Sequence, residues 1–595
     1  MVRKVQKRYS TLLWVSGLLL FTFLSLLLFM RQAANKFKPI ARTQLRELVQ
    51  EATDSLYHIS FSDISINLLT GRATLNDVKI TPDTSMYRKL IARKKAPNNI
   101  YHITLKKLVI RSFHPLRYLK QKKLNIDLLL FEKPDVVMQN TPFDFNETRK
   151  QDPGPYHYLS KYLKELWVKR IDLKNISFKY IRNNSPVPET DSVSNLNITL
   201  KDWRIDSLSA TDPGRIYYLK DATVNLSNYT YATPDSMYHI KLEQLDFKAA
   251  TGQLNIKNFG LIPRYSEMQF GQRAGFAKDR FNVQVSDISM EGIDLPLYIR
   301  RQELYAKEMT AANGQVEVFN NNMLERNTAV RTGRYPQQLL QKIKSRLTVK
   351  QLNLSDIDFS YAEYDKKSRQ KGIITFEKTS GILTNITNAE SIKAQNPYLF
   401  ASLRTYMMGQ GQLDVNFRFD LQAADGAFTY SGMLGPMDGR VLNRITKPLG
   451  MVEVKHGNVK KMEFELQAND RIAQGKMMFA YDELSVALLK REEGKERLVK
   501  QGLMSILANA MVINPENPNT EGILVTAPIR YERVRTASFF NFVWRTLFQG
   551  IKYSVGVTPA KEKEIKAKIA SFEKIKTDRD KRRAERQKRR ARQGK

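Results

Sequence analysis

The chain has 595 residues, 42% of them hydrophobic, with 96 Lys and Arg against 60 Asp and Glu and no cysteine. That hydrophobic content supplies a large core, and the length suits either three or four ordinary domains or one extended repetitive architecture. The lack of cysteine excludes disulfides, thiolate metal sites and cysteine nucleophiles, while a net charge of +36 favours anionic surfaces (lipid, lipopolysaccharide or nucleic-acid phosphates) without choosing among them.

Residues 1–10 carry Arg3, Lys4, Lys7 and Arg8 and are expected to be a cytoplasmic N-terminus. Thr11 to Met30, TLLWVSGLLLFTFLSLLLFM, is uncharged over 20 residues, enough at about 1.5 Å per residue to cross a hydrocarbon layer of about 30 Å. An uncleaved transmembrane signal-anchor is expected, because the run exceeds a secretory h-region and Arg31-Gln32-Ala33-Ala34 is a poor cleavage site. Arg31, Lys36, Lys38 and Arg42 follow closely and weaken the charge bias, so charge alone does not fix the orientation. Residues 31–53 form a linker in which Ile40 to Thr53 places Leu45, Leu48 and Val49 at helical spacing.

Beyond this linker the period changes to two. Apolar side chains alternate with polar ones through Tyr57-Ile59-Phe61, Ile64-Ile66-Leu68 and Ala73-Leu75, the pattern of strands with one dry face. A slip of phase between Phe61 and Ile64 predicts a bulge, and Gly71 predicts a hairpin turn. The stretch Asp54 to Pro82 returns without a gap 181 residues later as Asp235 to Pro263, identical at eight positions, and Leu166 to Tyr180 returns as Leu347 to Tyr361 at the same offset. Two matches at one offset predict a duplicated module, the first copy over residues 54–234 and the second over 235–411.

Further strands are expected over His102–Arg111, Leu124–Leu130, Asp135–Met138, Val168–Tyr180, Asn195–Leu200 and Thr223–Tyr231, with helices over Tyr156–Leu166 and Gln337–Arg346. Residues 412–490 continue the β pattern: Val415 to Leu421, a turn at Asp425-Gly426, a helix over Met437–Leu449 stopped by Pro448, a strand over Met451–Val454 and a turn at His456-Gly457-Asn458. Strands then follow over Val459–Gln467, Gln474–Phe479 and Leu484–Leu489. Residues 491–557 read as a helical cap. Glu492–Ile513 carries Leu503, Ile506, Leu507, Ala510 and Met511 on one face, and Ser538–Val557 is either a capping helix or one lying on a membrane through Phe539, Phe540, Phe542, Trp544 and Leu547. Residues 558–595 are a basic helical or disordered tail, in which 561–595 hold 16 Lys and Arg against 6 Asp and Glu. The fold expected is mainly β with few helices: an N-terminal transmembrane helix, an extended, curved, repetitive antiparallel sheet shaped as a groove, and C-terminal helices.

Chemistry-bearing constellations are missing. There is no phosphate-binding Gly-x-x-x-x-Gly-Lys, no Gly-x-Ser-x-Gly and no His-Glu-x-x-His, and the six histidines are scattered. His58 and His239 occupy equivalent repeat positions and are expected at the surface or a strand edge. The sequons at Asn146, Asn175, Asn197, Asn225, Asn353 and Asn385 suit polar strand faces. No catalytic residue, metal or cofactor is expected, and the chain is taken to be non-enzymatic. Nucleic-acid binding rests on net charge alone, without a reader motif, and is disfavoured.

Ile64 to Ile80, with Asn67-Leu68-Leu69-Thr70-Gly71, its repeat Leu245 to Leu261, and the closing phrases Gly426–Leu434 and Gly457–Leu489 behind a single N-terminal anchor resemble AsmA-like proteins. These are related to the TamB group and, more distantly, to chorein-type bridge-like lipid transfer proteins; the basic tail is not part of that pattern. The resemblance implies a single-pass protein of the bacterial inner membrane with the bulk of the chain in the periplasm. It also implies an apolar β-groove that shelters acyl chains for phospholipid transport or outer-membrane biogenesis. The partners implied are the inner membrane, a phospholipid or other acyl-chain lipid, and envelope proteins.

The lipid-facing candidates are the inner-face residues Ile59, Phe61, Ile64, Ile66, Leu75, Val78, Ile103, Leu105, Ile171, Leu173, Ile240, Leu242, Leu245, Phe247, Ile256, Leu352 and Leu354. The membrane-surface candidates are Phe539, Phe540, Phe542, Trp544 and Leu547. So many strands with so few helices must close upon themselves, and the interior is then either a groove or packed solid. The alternative function is accordingly a structural or assembly factor with a filled β core that binds outer-membrane or cell-wall partners.

Overall fold

The computed structural model describes residues 43–558 and Lys561, apart from positions 44, 48, 52, 68–69, 114–120, 147–155, 157–158, 161–162, 184–188, 210, 213, 217, 326–331, 493–497 and 501–512. The expected anchor Thr11–Met30, the tail beyond Lys561 and most of the expected helix Glu492–Ile513 lie outside the described residues. Among the described residues no helix is long and apolar enough to cross a membrane. The fold is mainly β, with 22 strands among the described residues in mostly antiparallel pairing. Two compact units divide the chain: Met1–Ile262 with Gln284–Met309, and Pro263–Val283 with Thr310–Lys595.

The first unit begins with a helix over 43–51, as the Leu45/Val49 spacing predicts, followed by β1 (Tyr57–Ser60), β2 (Asp63–Asn67) and β3 (Arg72–Pro82). Next come helix α1 (Thr84–Ala92), β4 (Asn99–Arg111), β5 (Lys123–Asn140), β6 (Glu165–Arg182), β7 (Glu189–Ile205), β8 (Asp221–Ala232), β9 (Tyr238–Lys248) and β10 (Gln253–Pro263). Asp83 starts α1, its carboxylate accepting the backbone N–H groups of Ser85 and Met86. The bulge expected after Phe61 is instead a break between β1 and β2 with no inserted residue, since Ser60 opposite Lys79 and Asp63 opposite Asn76 keep one register along β3. Gly71 takes a φ of 59° in the β2–β3 turn and Gly252 takes 60° in the β9–β10 turn. A side chain is excluded there, since a Cβ on Gly71 would lie 2.4 Å from the Phe113 carbonyl and one on Gly252 2.6 Å from that of Ile293.

One pairing departs from expectation: β5 and β6 run parallel, from Lys123 opposite Glu165 to Asn140 opposite Arg182. The connection between them, 141–164, is long enough for a parallel crossover. Its expected helix Tyr156–Leu166 is shorter than the spacing suggested, because β6 already begins at Glu165.

Strands β11 (Arg280–Glu291) and β12 (Glu303–Asn321) are divided between the units. The second unit holds α2 (Glu267–Ala274), α3 (Pro336–Gln341), β13 (Arg346–Tyr364), β14 (Lys371–Thr387), β15 (Tyr398–Met407), β16 (Gly411–Asp420) and β17 (Phe428–Leu434). It ends with β18 (Met437–Asp438), β19 (Val452–Ala468), β20 (Ile472–Arg491), β21 (Leu498–Lys500), β22 (Thr526–Glu532) and helix α4 (Phe539–Ser554). Copy two keeps the element bounds of copy one at the offset of 181: β1 and β2 together match β9, β3 matches β10, and β6 matches β13 to within a residue. Even the irregularities repeat. Asp77 and Asn258 share a φ near 50°, and Asn175 and Asp356, at 56° and 53°, mark the register shifts of their strands. Asp and Asn tolerate this backbone region better than other side chains.

Several expectations in this unit are corrected. The segment Met437–Leu449 is a short strand followed by irregular helical turns, with Pro448 inside the last turn and the end at Gly450. His456-Gly457-Asn458 makes no turn; it lies within continuous β19, where register shifts against β20 absorb the glycine. Gln474–Phe479 and Leu484–Leu489 are parts of one strand, β20. Leu498–Lys500, in the segment expected to be a polar turn and a helix, is strand β21 paired to the end of β20.

Candidate functional site

The dry face of the first unit is built from strand alternation carried across hydrogen-bonded neighbours. Ile64, Leu75, Leu108, Phe131, Leu173, Ile198, Val224 and Phe247 stand opposite one another in turn from β2 to β9. Beside this row run Ile66, Ala73, Ile110, Leu129, Ile171, Leu200 and Ala222. On the outer side of the first row Lys107, Glu132 and Lys174 alternate with it onto the opposite face, as a period of two requires, while Val109, Leu130 and Asp172, between the two rows, are buried on that face. Seven steps of about 4.8 Å give the first row a length of about 34 Å along the sheet.

Burial changes along the rows. Ile64, Leu75, Leu108 and Phe131 are sealed, whereas Leu173, Ile198, Val224 and Phe247 are only half-buried. The seal comes from residues off the sheet: Leu45 and Val49 of the 43–51 helix, Leu159 and Leu163 of the β5–β6 crossover, and Phe113 join the same buried cluster. No residue of strands β8, β9 or β10 belongs to it; Val224, Leu226, Leu245, Phe247 and Ile256 lie outside it and are half-buried.

This gradient sorts the lipid-facing candidates. Ile59, Phe61, Ile64, Leu75, Val78, Ile103, Leu105 and Ile171 are packed against protein and form a filled core, which corrects their assignment to a groove wall. Leu242 is also buried. Ile66, Leu173, Ile240, Leu245, Phe247 and Ile256 are half-buried in the first unit, and Leu352 and Leu354 are half-buried in the second. The sequence-derived set left out Leu108, Phe131, Ile198 and Val224. Their alternation was legible within each strand, but opposite partners are defined only once the register is known.

In the second unit Leu352, Leu383, Ala401, Phe417, Tyr430 and Leu466 make a comparable row, and α4 closes its far end. Phe542 is 0% exposed and stacks on Tyr335, while Phe539 packs on Phe417, Phe419 and Phe428. Gly550 lets the helix approach β20 and β22, since a Cβ there would meet Ile529 at 2.7 Å and Met477 at 2.8 Å. Trp544 and Leu547 pack partly on the same core, and Phe540 is half exposed. Phe542 is therefore a core residue of a capping helix and not part of a membrane surface, while Phe539 is partly buried on the same core. Buried Arg533 lies 4.4 Å over the Tyr335 ring and pairs with Asp470, which also accepts from Gln338 of α3. Buried Glu363 of β13 accepts from Tyr361, from Asn322 and from Asn541 of α4. Burial, with the Glu363 carboxylate beside it, holds the Tyr361 hydroxyl well above its ordinary pKa, so it stays a donor.

His58 is largely exposed, bonded to Gln50 at 3.0 Å and to Asp83 at 3.1 Å. Asn225 donates across to Asp246 on the neighbouring strand β9, and Asn385 donates to the carbonyls of Asn396 and Tyr398, so these sequon side chains bond within the sheet and its adjoining loop. Among the described residues no three His, Asp or Glu side chains are grouped to hold a metal. No family model matches the chain, and no curated protein matches it.

Proposed function

We propose that the chain is a membrane-anchored, non-enzymatic lipid-handling protein of the bacterial envelope, similar in kind to AsmA-like proteins, with its bulk in the periplasm. Its acyl-chain surface on this reading is the half-buried part of the apolar rows, Leu173, Ile198, Val224 and Phe247, with the adjacent pair Leu226 and Leu245. The observation that carries it is that the two rows run from a sealed core into half-buried strands without a polar interruption. Covering such a face with one acyl chain of about 16 carbons contributes roughly 10 kcal/mol at ~0.8 kcal/mol per methylene, enough to offset extraction of a lipid. Phospholipid transport and outer-membrane biogenesis are the processes such a surface serves.

The sealed half of the rows favours the rival reading, a filled β core acting as an assembly factor whose strands engage envelope proteins. Native mass spectrometry of the full-length protein, purified in mild detergent, separates the two. The lipid reading expects phospholipid bound in stoichiometric amount and lost when Val224→Asp and Phe247→Asp are combined, with the fold retained by circular dichroism. A lipid-free wild-type protein, or equal lipid in the variant, sinks it.

A further inference from the structure

The repeat supplies an internal control for surface charge. From Arg88 to Lys95 the first copy reads RKLIARKK, five cations in eight residues, and no acidic residue occurs between Thr84 and Asn99. At the offset of 181 the second copy reads QFGQRAGF over Gln269 to Phe276, with Arg273 alone, and that guanidinium lies over the Tyr265 ring at 5.9 Å. The bounds of β3 and β10, the short helix that follows each and the turn glycines are shared between the copies, so the fold does not require the cluster. Helix α1 docks by its other side: Tyr87 and Leu90 pack on the core, while Arg88, Lys89, Arg93, Lys94 and Lys95 are exposed and form no ion pair among the described residues.

The copy that carries the cluster is the one next to the apolar segment Thr11–Met30. Gln50, at the end of the 43–51 helix, bonds His58, which bonds Asp83, the cap of α1, and Asp83 N–H donates to the Leu56 carbonyl at 2.7 Å. The 13 residues from Met30 to Thr43 reach at most about 45 Å. They include Arg31, Lys36, Lys38 and Arg42 and no acidic residue. We infer that the Arg88–Lys95 cluster is a docking surface for the anionic phosphate headgroups of the bilayer that holds Thr11–Met30. The inference rests on reading Thr11–Met30 as the anchor. Flexible Lys and Arg side chains beside an anionic lipid surface each strengthen the contact by about fivefold, and salt screens it.

Since the chain has no cysteine, Ala92→Cys on the exposed side of α1 gives a single labelling site. The full-length labelled protein is reconstituted in phosphatidylcholine bilayers with or without phosphatidylglycerol, and energy transfer to a headgroup dye is measured. The expected result is closer approach in the anionic bilayer. That approach is lost at about 1 M salt, where the Debye length is about 3 Å, and lost when Arg88, Lys89, Arg93, Lys94 and Lys95 are all changed to Gln. If the fivefold variant does not fold, Lys94→Gln with Lys95→Gln, outside the helix, is expected to weaken the contact by about fivefold per residue.

Equal approach in both bilayers, or in the variants, overturns the inference. So does loss in the variants of duplex-DNA binding alone. Alkali-resistant retention in the bilayer reports the anchor separately. Should that fail, salt-sensitive co-sedimentation of the chain with anionic vesicles, and its loss in the variants, still decides the cluster.

Discussion

At the scale of single residues, the repeated turn glycines separate backbone strain from steric conflict. Gly71 and Gly252 combine a φ near 60° with a carbonyl 2.4 and 2.6 Å from any added Cβ, whereas Gly275, at φ 80°, ends α2 with open space around it. Left-handed backbone costs an L-residue about 1–2 kcal/mol, so Gly275→Ala is expected to lose about that much. Gly71→Ala and Gly252→Ala must also displace a backbone oxygen, and each is expected to lose about 3 kcal/mol or more in urea titration. Equal losses at all three sites would show that the close approach contributes nothing. Asp83 gives a pH signature. The Ser85 hydroxyl, then the Met86 N–H and His58, hold its carboxyl well below the ordinary value of 3.8. A carboxyl depressed on folding stabilises above its unfolded value and loses that stabilisation as the pH falls toward the folded one. The melting temperature of Asp83→Ala is thus expected to lie below that of the wild type at pH 6, with the gap closing progressively below about pH 4. A gap that stays constant into that acid range would remove the charged cap from the account.

At the scale of elements, α4 is held by its buried aromatic side and not by its exposed one. Phe542→Ala removes a fully buried ring stacked on Tyr335 and is expected to cost about 3–5 kcal/mol in chemical denaturation, against under about 1 kcal/mol for Phe540→Ala, whose ring is 50% exposed. Similar small losses at both would mean that the helix does not cap the core. The helix itself was legible, since Phe539, Phe542, Leu547 and Ile551 recur at helical spacing. Which of those residues met the sheet was not, because a moment gives a direction and not a partner. The strands from β1 to β3, the strand β6 and the Gly71 turn were also legible, each having a local cause, whereas Leu124–Leu130 and Asp135–Met138 are parts of one strand, β5, and Asn195–Leu200 is only the middle of β7. The parallel β5–β6 pair was hidden for a different reason: a dry face alternates with period two whichever way the neighbouring strand runs. Likewise His456-Gly457-Asn458 has the composition of a turn, but neighbouring strands β18 and β20 hold it inside β19.

At the scale of the whole molecule, the apolar rows differ in what covers them, and that difference is open to measurement strand by strand. Amide exchange slows where strands are flanked by paired neighbours and sealed by packed side chains, and quickens where the covering layer is thin. In lipid-free protein β3, β4 and β5, whose rows lie in the buried cluster, are expected to exchange more slowly than β8 and β9, whose rows are half-buried. Backbone pairing alone does not produce this order, since β8 is paired on both sides, with β7 and β9. If the half-buried rows hold an acyl chain, loading with phospholipid should slow exchange in β7, β8 and β9 and leave β3, β4 and β5 unchanged, because only the former lose water from their dry face. The filled-core reading expects the same exchange with and without lipid. A slowing spread evenly over all strands would report general stabilisation by detergent or lipid, and it would count against a lipid held on Val224 and Phe247.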